Sequence, residues 1–216
     1  MKIVVAVYTG RGLSEPLGRK FADKLPETRL INIVDEGLIE DINQKGHIDP
    51  SIRRRLVRYF ENAQDMGANA ILNTCSSVGE VADQVRPLFT IPIFRIDRRM
   101  AQEAVQRFGR VAVMATLAST LNPTRKLLQD EAKLLGRTLE VVEGLADGAY
   151  QALVAGKPEM HDALIREKAI EVAKQTDAIV LAQASMARIE EGLAAATGKP
   201  ILSSIDFALS ELRQYL

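Results

Sequence analysis

Two short loops, half the chain apart, carry the side chains that say most about the chemistry of this sequence. The first, Cys75-Ser76-Ser77, holds the single cysteine of the chain. The second, Gln183-Ala184-Ser185, lies 108 residues further on, which is half of the 216-residue length. A thiol takes up and releases a proton, whereas a primary amide does not titrate and forms only hydrogen bonds. Cys75 and Gln183 therefore predict a site with one acid–base group and one polar group that cannot transfer a proton.

The surroundings of Cys75 favour a functional thiol. Most free cysteines are small core residues. Cys75, however, follows an apolar run, lies between Thr74 and Ser76, and precedes a helix that we expect to start near Val78. The N-terminus of a helix stabilises the negative charge of a thiolate, which is the reactive form. We therefore predict Cys75 as a catalytic residue and Gln183 as its counterpart in the second loop.

Small polar residues are dense in the loops that follow four of the apolar runs. Hydroxyls and free backbone N–H groups at such positions cap helices, and they also bind a carboxylate without a metal. Gly10-Arg11-Gly12 predicts a turn, because it lacks the lysine and spacing of a P-loop. Arg95, Arg98 and Arg99 are further candidates for reaching an acidic ligand. The predicted substrate-binding residues are Tyr8, Thr9, Asn73, Ser76, Ser77, Thr116, Ser119, Thr120, Ala184 and Ser185.

The runs that precede these loops are short, β-branched and continuous, which is typical of parallel strands buried on both faces. Amphipathic helical patterns lie between them, and residues 51–66 place Ile52, Leu56, Phe60 and Ala63 on one stripe. Strands that alternate with helices indicate an α/β fold. We predict strands near residues 2–8, 29–34, 69–73, 91–95, 110–115, 138–143, 177–182 and 200–204, and helices over 51–66, 118–135, 158–175 and 205–215.

The two halves of the chain match each other when one is shifted by 108 residues. The match predicts two pseudo-symmetric lobes, each with about four parallel strands flanked by helices. In such sheets, ligands bind outside the carboxyl ends of the strands. We place the first lobe at residues 1–97 plus 200–216 and the second at 98–199. Without gaps, residues 3–7, 29–35, 70–72 and 92–94 fall on residues 111–115, 137–143, 178–180 and 200–202.

Composition excludes several classes of function. The 28 Lys and Arg residues balance the 28 Asp and Glu residues, so no overall positive charge exists to attract nucleic acid or an anionic membrane. No apolar run approaches the roughly 18 residues of a membrane span. One cysteine forms no intrachain disulfide, and we expect a cytoplasmic protein. The two histidines have no partners at metal-ligand spacing, so we expect no metal.

The chain resembles the aspartate/glutamate/hydantoin racemase superfamily over essentially its whole length. Each marker sequence is modest alone, but their order and the half-chain symmetry make the set fairly specific. The resemblance implies two Rossmann-like lobes with the active site in the cleft between them. It also implies chemistry without cofactor or metal at a carbon next to a carboxylate or carbonyl, and a homo-oligomer. The markers are the stretches 71–77, 111–116 with Thr120, 143–150 and 179–186.

In racemases of this family, each lobe supplies one cysteine, and the two act on opposite faces of the substrate. The first of these matches Cys75, and the second falls on Gln183, where this sequence departs from the pattern. The resemblance also gives Ser76 and Ser77 a role in holding the substrate carboxylate. It extends that role to Thr116 and Thr120 in the second lobe, and to Ser185 beside the missing cysteine.

The missing thiol leaves several reactions open. The leading expectation is a racemase or isomerase for a small acid that uses Cys75 as its single acid–base thiol. Decarboxylation of a malonate-type acid is an alternative, because the superfamily's arylmalonate decarboxylase branch also works with one cysteine. That branch keeps its cysteine in the second lobe, whereas this chain keeps it in the first. A covalent role for Cys75, as in the maleate isomerase branch, and a non-catalytic carboxylate-binding protein are further alternatives.

Overall fold

Short β-branched segments form the strands of this protein, as the sequence predicts. The computed structural model describes residues 1–10 and 12–216. Arg11, in the middle of the predicted turn, lies outside the described residues. The strands are β1 (Lys2–Tyr8), β2 (Thr28–Val34), β3 (Ala70–Asn73), β4 (Ile93–Arg95), β5 (Arg110–Ala115), β6 (Glu140–Leu145), β7 (Ala178–Leu181) and β8 (Ile201–Leu202).

The strands form two parallel sheets with the same topology. The order is β2-β1-β3-β4 in the first sheet and β6-β5-β7-β8 in the second. All pairings are parallel. The central strands β1, β3, β5 and β7 are almost wholly buried, because helices cover the sheets. The predicted α/β class, with two lobes of four parallel strands, is confirmed.

The helices begin and end where the local sequence provides the signals. At the start of α3, the Asp49 carboxylate accepts the N–H groups of Ser51 and Ile52 at 2.8 and 2.9 Å, and Pro50 occupies the first turn. Among the described residues, no helix has the length and apolar character that a bilayer span requires. The helices are α1 (Ser14–Lys24), α2 (Gly37–Lys45), α3 (Pro50–Asp65), α4 (Gly79–Val85), α5 (Arg98–Arg107), α6 (Ala118–Leu134), α7 (Ala149–Val154), α8 (Pro158–Ala173), α9 (Glu190–Thr197) and α10 (Ser204–Tyr215).

Each sheet has its own apolar core. In the first, α3 buries the predicted stripe of Ile52, Leu56, Phe60 and Ala63 in one cluster with Val5 of β1. In the second, residues of α8 form the corresponding cluster with strands β5 and β7. The stripe was predictable because apolar residues three and four apart share one helix face.

The chain divides into two units, residues Met1–Asp97 with Ile205–Leu216 and residues Arg98–Ser204. The predicted assignment of residues 200–204 to the first lobe is corrected, because β8 pairs with β7 in the second sheet. Only the C-terminal helix returns to the first unit. The predicted strand at 138–143 also begins later, at Glu140, because its partner strand β5 begins at Arg110.

The gapless 108-residue match holds for two of the four strand pairs. It holds at β3 and β7, where Ile71 and Ile179 donate their N–H groups to the carbonyls of the equivalent prolines. It is shifted by one residue at β1, because Val4 pairs with Ala70 whereas Val111 pairs with Ala178. It is also shifted between β2 and β6, since Arg29 pairs with Ile3 and Glu140 with Arg110. Thr9 is therefore the equivalent of Thr116.

Candidate active site

The loop that carries Cys75 is hydrogen-bonded to the end of β1. The backbone N–H of Thr74 and its hydroxyl both donate to the carbonyl of Val7, at 3.1 and 2.9 Å. Cys75 follows with a partly exposed side chain and stands directly before a 3₁₀ turn, Ser76–Val78, that continues into α4. Cys75 is therefore half-buried at the carboxyl edge of the first sheet, where it also packs against the apolar core of that sheet.

Asn73 links strand β3 to the cysteine and leaves one polar atom unpaired. Its side chain is 1% exposed, and its Nδ2 group donates to the carbonyl oxygen of Cys75 at 2.9 Å. Its Oδ1 atom is buried and has no hydrogen-bond partner among the described residues. A buried acceptor without a donor costs about 1–3 kcal/mol. Two residues before the thiol, Asn73 thus carries an acceptor that a ligand could satisfy with a hydrogen-bond donor.

Gln183 occupies the corresponding position in the second unit. Cys75 has backbone angles of φ −118° and ψ 118°, and Gln183 has φ −115° and ψ 124°. Each residue immediately precedes a 3₁₀ turn that leads into a short helix. The predicted equivalence of these two residues therefore extends to their local backbone.

The side chain of Gln183 is held in one orientation by Thr116. Its Oε1 atom accepts the backbone N–H of Thr116 at 2.7 Å and the Thr116 hydroxyl at 2.9 Å. A backbone N–H only donates, so the atom that faces it must be the amide oxygen. The Nε2 group of Gln183 has no hydrogen-bond partner in the described part of the chain. Gln183 is therefore a fixed donor and not an acceptor at its free end.

Tyr8 and Thr9, at the end of β1, are both buried. Tyr8 is 1% exposed, and its hydroxyl donates to Oδ1 of Asn32 at 3.1 Å. Burial raises the pKa of Tyr8, so its phenol stays neutral. Thr9 is buried, and its carbonyl accepts the N–H of Ile39 at 3.2 Å. The Tyr8 hydroxyl is therefore bonded inside the first unit, to the side chain of Asn32.

The remaining predicted binding residues lie in the same two groups of loops. In the first unit, Ser76 and Ser77 are buried in the 3₁₀ turn beside Cys75. In the second, Thr120 is buried in the first turn of α6, and Ser119 beside it is partly exposed. The structure thus brings six predicted residues together in each unit: Tyr8, Thr9, Asn73, Cys75, Ser76 and Ser77 in the first, and Thr116, Ser119, Thr120, Gln183, the buried Ala184 and the exposed Ser185 in the second.

Arg95 is not available to an acidic ligand. It is 4% exposed, and its guanidinium bonds the carboxylates of Asp97 and Asp83. Burial opposes its charge, but these carboxylates outweigh that effect and raise the pKa of Arg95. Arg98 likewise pairs with the buried Glu131 at 3.5 Å. The arginine-x-aspartate spacing is a sequence signal for this ion pair, because the turn after β4 brings Asp97 back beside Arg95.

The described residues contain no group of three or more His, Cys, Asp or Glu side chains suited to a metal ion. What the two groups of loops contain instead is a thiol, hydroxyls, an unpaired amide oxygen and a fixed amide donor. Such groups transfer a proton and bind oxygen atoms of a ligand.

Comparison with protein-family models gives one match over most of the chain. Residues 18–212 match the family described as Asp/Glu/Hydantoin racemase. A search among curated proteins found no match.

Solved structures with the same fold include several racemases. An allantoin racemase from Klebsiella pneumoniae is similar with a TM-score of 0.74 and 17% identity over 99% of this chain and 87% of its own. A glutamate racemase from Bacillus anthracis has a TM-score of 0.76 and 14% identity over 100% of this chain and 81% of its own. A putative Asp/Glu racemase from Yersinia pestis gives 0.73 and 18%, covering 100% and 99%. At these identities the likeness supports the fold.

Proposed function

The chain belongs to the Asp/Glu/hydantoin racemase family, and from this premise we propose that it is a cofactor-independent enzyme of the racemase and isomerase type. Its substrate is a small acid, and the reaction takes place at the carbon next to a carboxylate or carbonyl group. Cys75 is the single acid–base group. Gln183 stands where the family's second cysteine would be and offers hydrogen-bond donors instead of a thiol.

The orientation of the Gln183 amide carries this proposal. Because Thr116 occupies its oxygen, the amide offers only N–H groups to a ligand. An N–H donor of this kind binds a carboxylate oxygen or an enolate oxygen, and it neither removes nor supplies a proton in the reaction. The two equivalent positions therefore have different tasks, with proton transfer at Cys75 and charge stabilisation at Gln183.

The proposed reaction uses one thiol for both proton transfers. The Cys75 thiolate takes the α-proton and becomes a thiol, while the electron pair of the broken C–H bond moves towards the adjacent oxygen. Preorganised donors stabilise the resulting negative charge, and the removal of one such donor typically slows a reaction by about 100- to 1,000-fold. The thiol then returns a proton on the same face. Return to the α-carbon regenerates the substrate, with solvent exchange where the S–H proton has exchanged first, and return to another carbon of the delocalised anion gives an isomer. Exchange with solvent should therefore be faster than inversion of configuration.

Proton exchange at the α-carbon tests the proposal. The compounds named for the related structures supply a first panel: both enantiomers of the acids glutamate and aspartate and of the hydantoin allantoin, incubated with the protein in deuterated water. NMR should show deuterium entering the α-position of at least one compound. Cys75→Ala should lower that rate by about 100- to 10,000-fold. Exchange that continues unchanged in Cys75→Ala would remove the thiol from the mechanism.

A second variant tests the role of Gln183. Gln183→Cys supplies the missing thiol and should raise the rate of inversion relative to exchange, measured by chiral chromatography. Gln151→Cys is the matched control, because it adds a thiol at an exposed position of α7 in the same unit. Equal inversion by both variants would contradict the assignment of Gln183.

Decarboxylation is a second candidate that the same observation favours. Loss of carbon dioxide from a malonate-type acid leaves an enolate that needs one proton donor and a set of hydrogen bonds. One thiol and one fixed amide donor meet that need. Carbon dioxide release from phenylmalonate, without α-proton exchange in the panel above, would favour this reaction. Thermal stabilisation by these acids without turnover, in both wild type and Cys75→Ser, would indicate a binding protein.

A further inference from the structure

A buried ion cluster lies at the end of β4, next to the strand that leads to Cys75. Arg95 is 4% exposed and Asp97 is 1% exposed. The Arg95 Nε and Nη2 atoms donate to the two carboxylate oxygens of Asp97, each at 3.0 Å. This two-pronged pairing fixes the plane of the guanidinium group.

The same guanidinium is bound to the first helix after the cysteine. The Arg95 Nη1 atom donates to Asp83 of α4 at 2.7 Å. At Gly79, the first residue of α4, an added Cβ atom would lie 2.4 Å from the Arg95 Cζ atom. Only glycine lets the helix approach the guanidinium this closely. Arg95 is held by both carboxylates, so it has little freedom to move away.

A short chain of contacts leads from this cluster to Cys75. The N–H of Gly79 bonds the carbonyl of Ser76 and closes the turn that starts directly after the cysteine. On the other side of Cys75, Asn73 donates its side-chain N–H to the Cys75 carbonyl. The backbone carbonyl of Asn73 in turn accepts the N–H of Ile96, between Arg95 and Asp97, at 3.0 Å.

We propose that Arg95 is a positioning residue for the Cys75 thiol, acting through Gly79 and Asp83. The guanidinium packs against Gly79 and bonds Asp83, and it thereby fixes the start of α4. The turn that follows Cys75 is bonded to Gly79, so its conformation depends on that contact. All three nitrogen positions of Arg95 are used in the cluster, so it does not contact the substrate. The inference rests on the proposed function for its catalytic meaning, whereas the positioning itself concerns the thiol alone.

Because the chain has one cysteine, the reactivity of thiols in the protein reports on Cys75 alone. Alkylation by iodoacetamide, followed by mass spectrometry from about pH 6 to about pH 10, reports the reactivity of one sulfur without a substrate. Gly79→Ala and Arg95→Met should each change the pH profile of alkylation. Where α-proton exchange is measurable, both should lower kcat by about 10- to 100-fold with a smaller effect on KM, because a displacement of about 1 Å suffices for such a loss.

A double-mutant cycle separates positioning from general destabilisation. Arg95→Met replaces the fixed guanidinium with a flexible thioether that turns away from an alanine Cβ at residue 79, so Gly79→Ala should have a much smaller effect in that background. Arg95→Lys should not restore the wild-type profile, since an ammonium group cannot bond both carboxylates in this geometry. Gly18→Ala in α1 and Gly192→Ala in α9 are matched controls, because apart from their own helix backbone no described atom lies within 4 Å of an added Cβ there. Both controls should leave the profile unchanged.

Two outcomes would overturn the inference. One is a folded Gly79→Ala variant with wild-type alkylation, and the other is additive effects of the Gly79 and Arg95 changes. If Gly79→Ala does not fold, Asp83→Ala removes one contact with Arg95 and leaves the glycine intact, and it should also alter the profile. A changed profile in a protein that exchanges no α-proton would leave the positioning valid and contradict the proposed function.

Discussion

Cys75 and Gln183 place a thiol and an amide at equivalent backbone positions of the two units. Both residues precede a 3₁₀ turn with nearly the same φ and ψ. Cys75 is half-buried against the first core, whereas the amide oxygen of Gln183 is bound by Thr116. The sequence alone predicts that Gln183 cannot transfer a proton. Its fixed orientation was not predictable, because the gapless repeat aligned Thr116 with Tyr8 and concealed its contact with residue 183.

Thr116→Val should loosen the Gln183 amide. The substitution removes the hydroxyl that donates to Oε1 at 2.9 Å and keeps the backbone donor at 2.7 Å. We expect a loss of about 1 kcal/mol in the free energy of unfolding, measured by urea denaturation. The side-chain amide resonances of Gln183 should also shift in ¹⁵N NMR spectra. Thr116→Ser keeps the hydroxyl and is the control. Unchanged resonances in the valine variant would show that the hydroxyl does not orient the amide.

Gly144→Ala should destabilise the second unit. Gly144 lies in β6, where an added Cβ would stand 2.4 Å from the Met114 sulfur and 3.2 Å from the Val113 carbonyl oxygen. Both neighbours are buried, so we expect a cost of about 1–3 kcal/mol in the free energy of unfolding. Gly192→Ala, in the open interior of α9, should instead raise stability by up to about 1 kcal/mol. Denaturation curves that move in the same direction would contradict this expectation.

At the scale of elements, an ion cluster joins α3 to the end of β2. Arg55 of α3 donates to Asp35 through Nε at 3.0 Å and through Nη2 at 2.7 Å. The hydroxyl of Tyr59, one turn further along α3, donates to the same carboxylate at 2.6 Å. The N–H of Asp35 bonds the carbonyl of Tyr8, so the cluster lies beside the carboxyl edge of the first sheet. Burial opposes the ionisation of Asp35, but the bonds from Tyr59 and Arg55 outweigh it and lower its pKa.

Asp35→Asn should therefore have a pH-dependent effect on stability. A carboxyl group whose pKa is lower in the folded protein stabilises the fold above its unfolded value, here 3.8, and this contribution disappears as pH falls through the folded value. The difference in free energy of unfolding between wild type and Asp35→Asn should be largest near neutral pH and should shrink below 3.8. Urea denaturation across that range measures it. Tyr59→Phe, which keeps the carboxylate and one of its partners, should show a smaller loss at neutral pH.

How far the sequence predicts the elements depends on the kind of signal. Local periodicity located α3 and its buried face, because Ile52 and Phe60 follow the helical repeat. Strand registers were less predictable, since they depend on pairing between distant segments. Arg29 therefore pairs with Ile3, and its equivalent is Glu140, not the Arg137 that the gapless shift suggested. The pairing of Arg95 with Asp97 and Asp83 was not predicted, because an arginine at the end of a strand is equally suited to an acidic ligand.

At the scale of the whole molecule, the second unit is an insertion between two parts of the first. Residues Arg98–Ser204 form one unit, and the chain then returns through α10 to the unit that begins at Met1. The apolar side chains of α10 at Ile205, Ala208, Leu209 and Leu212 are buried at helical spacing. The ring of Tyr215 also lies 5.4 Å from that of Phe94. The sequence predicted this return of the last helix but not that β8 stays with the second sheet.

Because α10 packs in the first unit, we expect the loss of a buried α10 side chain to lower the stability of that unit more than that of the second. Leu209→Ala removes a wholly buried side chain from α10 and should cost about 2–5 kcal/mol of stability. Hydrogen–deuterium exchange, read by mass spectrometry, should show faster exchange of the amides in strands β1 to β4. The amides of β5 to β8 should keep most of their protection, because their sheet and core lie in the other unit.

Leu193→Ala is the matched change in the second unit, because Leu193 of α9 is 2% exposed and belongs to the core cluster of the second sheet. It should reverse the pattern and expose β5 to β8 first. Both variants remove the same number of atoms from buried sites, so their cavities should be similar in size. Opposite exchange patterns would then follow from the unit in which the cavity lies. Equal loss of protection in both sheets, in either variant, would mean that the molecule unfolds as one cooperative unit in spite of its two cores.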